Sequence, residues 1–326
     1  MKYFLLAAKL VLSFGLLAVV ISQIDAARAA KFLLQTTTVQ GIVIATLALG
    51  AQGLLAAGRQ IAILALLDQR ITFLQSLRVW FAGVFITQVA VTFIAGDLIR
   101  GILLVSDGVP RRMAGRAIVL DRIVGLAVLL LLVDAVLPSI AGLTQARGLR
   151  YSLLLLGVAA TSGILAIALA GLARRVVELL PWKNAHYRVV EIATDLAGVS
   201  RFLAASPGRA LAIAVISLVM HLLNVVGVVA IALSLGVQAP LWIMAAVVVP
   251  VMLLSMLPIS FAGWGVREAA LVTGFGLLQI PAELALATSI GFGLSVVFAS
   301  LPGLPGLMQK RVQWRALIRP SDLSRS

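Results

Sequence analysis

Long apolar stretches, separated by short polar ones, run through the whole chain. Eight of them are each of a length expected for a membrane helix, and a shorter ninth lies between the last two. They are Phe4–Ile24, Gly41–Leu67, Val79–Ala95, Ala117–Leu137, Tyr151–Ala173, Ala210–Leu235, Leu241–Leu257, Leu284–Leu301 and the shorter Ala269–Ile280. A membrane-spanning helix needs roughly 20 apolar residues. The pattern therefore predicts an all-α polytopic membrane protein, with one membrane domain over residues 1–310 and a basic cytoplasmic tail over residues 311–326.

Two polar breaks interrupt this apolar pattern, one near residue 97 and one near residue 265. Their glycines, proline and charged residues are Gly96, Asp97 and Arg100 in the first break, and Pro258, Gly263, Gly265, Arg267 and Glu268 in the second. An ionisable residue at membrane depth is costly and marks a site or a pathway. Glycine and proline there favour a turn in the backbone. Each break is therefore predicted to be the tip of a helical hairpin.

The positions of lysine and arginine favour a topology with hairpins. If all eight long stretches cross the membrane with the N-terminus inside, and Arg59, Arg122 and Arg267 are left aside as embedded, 11 basic residues fall inside and 12 outside, which is no bias. If residues 79–107 and 241–280 instead enter and return on the same side, the count becomes 19 inside and 4 outside. Positive loops stay in the cytoplasm. We therefore predict about six transmembrane spans, two re-entrant helical hairpins and two cytoplasmic termini.

This topology divides the chain into two similar halves, about residues 1–140 and 150–308. Each half is predicted to contain a span, a second span, a hairpin and a third span, and the two halves start on opposite sides of the membrane. Such an arrangement is an inverted repeat, in which paired broken helices form a site near the middle of the bilayer. The stretch Phe4–Ile24 is expected to remain as the first helix rather than to be cleaved as a signal peptide.

Composition agrees with this class of protein and excludes several kinds of site. Hydrophobic residues make up 62% of the chain and charged residues 12%, against about 25% charged residues in soluble proteins. The net charge of +14 lies in short loops, so we expect anionic membrane lipids as partners rather than nucleic acid. With no cysteine and two histidines, neither a metal site nor a cofactor is expected. A homo-oligomer is left open.

Charged residues inside the apolar stretches are the candidates for binding chemistry. Asp97 and Arg100 are three residues apart, so they are neighbours on a helix and can pair. Asp121 and Arg122 are adjacent, so they point about 100° apart on a helix and each needs its own partner. Arg59 lies about two turns inside its stretch and is expected to have a buried partner. The alternative for these residues is a purely structural role, including snorkelling of Arg122 to the interface.

The predicted site therefore combines arginines, whose guanidinium groups can bind phosphate, with carboxylates that keep those arginines in position through ion pairs. The predicted substrate-binding residues are Arg59, Asp97, Arg100, Asp121, Arg122, Arg267 and Glu268, and the predicted hairpin-tip residues are Gly96, Pro258, Gly263 and Gly265. The sequence contains no phosphate-binding glycine loop with lysine, no nucleophile elbow and no zinc-type histidine pair. We therefore expect no enzymatic activity.

The combined pattern resembles one known family over about residues 1–310. It consists of Gly96-Asp97-x-x-Arg100, Asp121-Arg122 with Gly125-Leu126, and Leu257-Pro258-x-Ser260-x-x-Gly263-x-Gly265-Val266-Arg267-Glu268. This pattern resembles the flippase-like membrane domains, which include the membrane half of bacterial lysylphosphatidylglycerol synthases. The resemblance implies a bacterial inner-membrane protein that moves a phospholipid or a lipid-linked head group between leaflets. No counterpart of the soluble aminoacyl-transferring domain is expected in this chain.

Three other functions remain open from the sequence. A secondary transporter of a small anionic solute would need the same hairpin tips. A membrane enzyme acting on a lipid-linked substrate would need an acid or base with a perturbed pKa in the groove. An assembly protein would use the charged pairs for structure alone.

Overall fold

The chain folds into helices joined by short turns. The computed structural model describes residues 15, 26–34, 36–89, 94–143, 147–179, 206–256 and 264–308, and within these ranges it contains helices and no strands. In chain order the helices are α1 (Ala26–Leu33), α2 (Thr36–Leu66), α3 (Phe73–Val89), α4 (Ile94–Ser106), α5 (Arg111–Ala141), α6 (Arg147–Leu179), α7 (Pro207–Ser234), α8 (Leu241–Met256), α9 (Val266–Gly276), α10 (Ala282–Ser300) and α11 (Leu304–Met308). A 3₁₀ turn, Leu301–Gly303, joins the last two.

Among the described residues, four helical segments are long and apolar enough to cross a membrane. They are Thr38–Leu66, Arg111–Ala141, Pro207–Ser234 and Ala282–Met308. The backbone N–H and C=O groups of a helix bond to each other, so they need no partner from the hydrocarbon, which has none to offer. These segments correspond to four of the six predicted spans, so the all-helical membrane fold is confirmed. The predicted span Phe4–Ile24 lies outside the described residues, and Tyr151–Ala173 falls within α6.

Two shorter apolar helices, α3 and α8, each pack against the helix that follows them, α4 and α9. Glycine allows close approach within both pairs. A methyl group at Gly96 on α4 would lie 2.5 Å from the carbonyl oxygen of Gly83 on α3. A methyl group at Gly274 on α9 would lie 2.5 Å from Cγ1 of Val247 on α8. The predicted tip residues Pro258 and Gly263 lie outside the described residues.

The described ends of these helices correct one prediction about the tips. Gly96, Asp97 and Arg100 lie within α4, so Gly96 is helical and does not form a turn. Its role is close packing against α3, because a larger side chain would clash with backbone. Gly265 does lie at a turn: its φ of 86° is in the left-handed region, which glycine adopts without strain, and it precedes the first residue of α9.

The helices pack around a central pair, α2 and α7, which share the most extensive interface. Both α5 and α10 contact this pair, and in addition α5 contacts α8 and α10 contacts α3. Outside them, α6 packs on α5 and α1 packs on α10. Apolar side chains such as Leu129, Ile231, Met244 and Phe275 fill the interior. This packing directs the buried charged residues toward a common cavity.

Candidate functional site

Most of the buried charged residues that the structure describes line one cavity of about 310 Å³. Six helices that contribute to its wall are α2, α3, α5, α7, α8 and α10, and the first two turns of α4 and α9 contribute the residues near the two predicted tips. Much of the wall is apolar, including Val84, Val248, Met252 and Phe292. The cavity therefore combines an apolar wall with a small set of charged groups, as ligand sites commonly do.

Asp121 holds two arginines from different helices. Its Oδ1 accepts hydrogen bonds from Nε of Arg59 at 2.9 Å and forms an ion pair with Nη2 of the same arginine at 2.8 Å. Its Oδ2 accepts from Nη2 of Arg100 at 2.9 Å. Arg59 also donates from Nη1 to Ser217 Oγ at 2.9 Å. Asp121 is 3% exposed, so this triad is a desolvated electrostatic link between α2, α4 and α5.

The helix that carries Asp121 extends beyond its apolar stretch. The apolar stretch starts at residue 117 and placed Asp121 about one turn from its end. The helix begins earlier, at Arg111, because charged residues there can continue a helix into the interfacial region. Asp121 therefore lies ten residues inside α5, about 15 Å along its axis at about 1.5 Å per residue.

Asp97 and Arg122 form a second, more exposed pair. Arg122 donates from Nε to Oδ2 of Asp97 and from Nη2 to Oδ1, both at 3.0 Å. The Asp97 side chain is 20% exposed and that of Arg122 is 35% exposed. Arg100 lies nearby, with its Nη1 3.5 Å from Oδ1 of Asp97. The prediction that Asp121 and Arg122 each need a separate partner is confirmed, since Arg122 pairs with Asp97 and Asp121 pairs with Arg59 and Arg100.

The second helix pair contributes Arg267 and Glu268 at the start of α9. Arg267 donates from Nη2 to Oε1 of Glu268 at 2.7 Å and from Nε to Ser289 Oγ at 3.0 Å. Ser289 in turn donates to Oε1 of Glu268 at 2.8 Å. The other oxygen, Oε2, accepts the backbone N–H of Gly265 at 2.5 Å. Glu268 is completely buried, so it fixes the turn and the arginine together.

Aromatic rings and glycines shape the space around the buried arginines. Trp80 lies 4.9 Å from the guanidinium carbon of Arg100, and Trp264 lies 4.6 Å from that of Arg267. Both distances are typical of cation–π contacts. A methyl group at Gly83 would lie 2.5 Å from Arg100 Cγ, and one at Gly293 would lie 2.6 Å from Arg267 Nη2. Small residues on neighbouring helices thus make room for both arginines.

The structure brings together the predicted charged residues of both sequence breaks. Six of the seven predicted substrate-binding residues line the cavity, namely Arg59, Asp97, Arg100, Asp121, Arg122 and Arg267. Glu268 does not line the cavity, but it forms an ion pair with Arg267. Their role as substrate-binding residues stays a prediction. Among the residues that the structure describes, no group of three potential metal ligands occurs.

Several polar lining residues were not among the predicted site residues. On α7, His221 binds the carbonyl oxygen of Gly125 on α5 through Nε2 at 2.9 Å, and Asn224 lines the cavity one turn further. Gln52 lines the cavity on α2. It lies seven residues before Arg59, and this spacing places both on one helix face. The sequence spacing could therefore have identified Gln52 as a neighbour of the site.

Comparison with known proteins gives the family. No curated protein and no solved structure matches the chain. A model of the family described as the lysylphosphatidylglycerol synthase TM region matches residues 6–303, which includes all the helices that border the cavity. This family relates the chain to lipid modification or transport. The multi-pass helical fold and this match together show that the chain belongs to the family of the lysylphosphatidylglycerol synthase TM region.

Proposed function

We propose that this protein is a lipid flippase, which moves a phospholipid or a lipid-linked head group between the leaflets of the bacterial inner membrane. The observation that carries the proposal is the cavity lined by Arg59, Arg100, Arg122 and Arg267 among helices of membrane-spanning length. Arginine presents a planar fork of donors that suits phosphate. Such a cluster at membrane depth is expected only where it serves a site.

The apolar part of the cavity wall supports a lipid rather than a fully polar solute. A head group would occupy the arginine cluster while its acyl chains remain in the surrounding hydrocarbon. Asp97, Asp121 and Glu268 would hold the arginines in position through the ion pairs described above. All three carboxylates already accept hydrogen bonds from arginine, so we propose that they position the cluster and do not perform acid–base catalysis.

The proposal includes the predicted topology of six spans and two re-entrant hairpins. The helix contacts support an inverted repeat, because the contacts among α2–α5 and α7–α10 are unchanged when each helix of one half is exchanged for its counterpart in the other. Exchanging α2 with α7, α3 with α8, α4 with α9 and α5 with α10 converts the contacts of α5 with α7 and α8 into those of α10 with α2 and α3. The cavity then lies where the two halves meet.

The orientation can be tested with single cysteines, since the chain contains none. We expect Lys31→Cys to react with a membrane-impermeant thiol reagent from the periplasmic side of intact cells. Arg112→Cys should react only after the membrane is permeabilised. The reverse pattern would overturn the proposed cytoplasmic location of both termini.

Translocation in proteoliposomes tests the function. Fluorescent phospholipids in the outer leaflet are quenched by dithionite, so protein-dependent movement appears as an increase in the quenched fraction. We expect Arg267→Ala to abolish most of this increase. Arg209→Ala is the matched control, because Arg209 is an exposed arginine at the start of α7 and does not line the cavity.

Two results would contradict the proposal. Wild-type protein that is folded but moves none of the lipids would exclude a general phospholipid flippase. Equal movement in wild-type and Arg267→Ala protein would exclude this cavity as the path. Uptake of a soluble anion in the same vesicles, without lipid movement, would favour a secondary transporter instead.

A further inference from the structure

The cavity contains one side chain that can gain or lose a proton near neutral pH. The described residues that line it include one histidine, His221 on α7, beside four arginines and two aspartates. Arginine stays charged in proteins, and Asp97 and Asp121 each form ion pairs with arginine. Histidine is the side chain whose charge ordinarily changes between about pH 5 and pH 8. His221 is therefore the candidate for proton binding in this cavity.

The hydrogen bond of the imidazole identifies the ring nitrogen at which this would occur. Nε2 of His221 lies 2.9 Å from the carbonyl oxygen of Gly125 on α5. A carbonyl oxygen only accepts, so Nε2 carries a hydrogen in the neutral ring and in the charged ring. Within the described ranges no hydrogen bond joins Nδ1 to another residue. Nδ1 is therefore the atom that binds or releases a proton.

The charged residues beside His221 come from two of the helices that pack on α7. These helices are α2, α5, α8 and α10. The first contributes Arg59 to the cavity and the second contributes Asp121 and Arg122, whereas α8 and α10 contribute no charged residue to its lining. Arg59 lies close, since its Nη1 is 3.4 Å from the position of a methyl group at Gly125, the residue that His221 binds.

An imidazolium at this position would have a cation beside it and no carboxylate of its own. Asp121 is already shared by two arginines. The other charged residues of the lining are Asp97 and Arg100 on α4 and Arg267 on α9. An anion in the cavity would supply the missing partner, because it can contact the charged ring and the arginines together. Binding of an anion and binding of a proton are then coupled, and such coupling is reciprocal.

We infer that Nδ1 of His221 is a proton-binding site, which takes up one proton from water together with an anionic head group and returns it to water on the other side of the membrane. This inference rests on the proposed function and names the co-substrate that drives it. A proton and a head group with one negative charge are electroneutral together, so a pH gradient is the energy source. Acid outside then moves the lipid inward, and acid inside moves it outward.

The distribution of lipid under an imposed pH gradient tests the coupling. Proteoliposomes contain short-chain fluorescent phosphatidylglycerol, which carries one negative charge, and extraction by albumin on ice measures its outer-leaflet fraction. With one proton per lipid, a gradient of one pH unit, acid outside, should lower the ratio of outer to inner lipid by about tenfold. An unchanged ratio, for lipid that does move, would leave the flippase proposal intact and overturn the coupling.

Two substitutions test the assignment to His221. Glutamine can donate to the Gly125 carbonyl as the imidazole does, but it does not bind a proton near neutral pH. We expect His221→Gln protein to keep a ratio near one under either direction of the gradient. His186→Gln is the matched control, because it removes the other histidine of the chain, and it should respond as the wild type does. A gradient response that persists in His221→Gln would indicate a structural histidine and overturn the assignment.

The protonation of the ring can be measured whether or not lipid moves. Tag-free His186→Gln protein contains a single histidine, so the ¹⁵N spectrum of histidine-labelled protein in detergent reports on His221 alone. We expect a hydrogen on Nε2 without lipid, and at about pH 7 a larger protonated fraction of Nδ1 after addition of dihexanoyl phosphatidylglycerol. An unchanged fraction would overturn the inference. If no lipid moves, the proposed function fails, and this spectrum decides whether the proton site remains.

Discussion

Asp121→Asn is expected to destabilise the protein much more than Asp97→Asn, although both remove one carboxylate charge from the same cavity. Asp121 is 3% exposed, and its loss leaves buried Arg59 without a counter-charge among the described residues and buried Arg100 with the more distant Asp97, at 3.5 Å. Breaking a buried ion pair by removal of one partner costs about 3–5 kcal/mol. Asp97 and Arg122 are 20% and 35% exposed, and a partly solvated pair contributes about 1 kcal/mol or less.

These free energies correspond to a measurable difference in the midpoint of thermal unfolding. An unfolding entropy of about 2.1 cal/mol/K per residue gives about 0.7 kcal/mol/K for 326 residues. Division of the two free energies by this entropy, which is the value for soluble proteins, gives the expected shifts. The unfolding midpoint should fall by about 4–7 °C for Asp121→Asn and by about 1–2 °C for Asp97→Asn. The assay is unfolding of purified protein in one detergent, followed by intrinsic fluorescence.

A third variant separates uncompensated charge from lost packing. Replacement of the whole triad, with Arg59→Met, Arg100→Met and Asp121→Leu together, removes all three charges at once. Exchange of a buried ionic cluster for apolar residues is often neutral or stabilising, so this variant should unfold at a higher temperature than Asp121→Asn. Equal losses for the two single carboxylate variants, or no recovery in the triple variant, would refute the electrostatic reasoning.

Three other predictions concern the packing of α4 on α3, the access of reagents to the cavity, and the hydrogen bonds around Arg267 and Glu268. Gly96→Ala should destabilise the protein by about 1–3 kcal/mol because the new methyl group meets backbone on α3; Gly115→Ala, where nothing lies within 4 Å, should leave the unfolding midpoint unchanged or raised. Asn224→Cys should react with a charged thiol reagent through the cavity, whereas Leu222→Cys, which is 45% exposed and does not line the cavity, should not; equal labelling would argue against a wet cavity. Ser289→Ala should cost about 1 kcal/mol, since it removes one hydrogen bond to a buried carboxylate, and an unchanged midpoint would contradict that.

The sequence was most informative about the long helices. Four stretches of continuous apolar residues correspond to helices of spanning length, with ends that differ by a few residues. The largest shift at the start of a helix is at α5, which begins at Arg111 although its apolar stretch begins at residue 117. Hydrophobicity locates the part of a helix in hydrocarbon, whereas the helix itself continues into the polar interface, where charged residues are stable.

The sequence also located the charged residues of the cavity but assigned only some of their partners. The spacing of Asp97 and Arg100 predicted a pair, and their closest Nη1 to Oδ1 distance is 3.5 Å. The shorter contacts of these residues are with Arg122 and Asp121, on the next helix. Contacts within one helix follow from spacing, whereas contacts between helices depend on how the helices are rotated and displaced against each other.

The sequence by itself therefore determined the class of the protein, the approximate positions of the helices, and the charged residues that need a partner inside the membrane. Those properties follow from local chemistry, since transfer of each side chain into a membrane has its own free energy. The tertiary structure decided that Asp121 is shared by Arg59 and Arg100, and that Arg267 from the second half lines the same cavity as Arg100 from the first. These relations join residues up to 167 positions apart, from Arg100 to Arg267, and arise from helix packing, which depends on the shapes of many side chains at once.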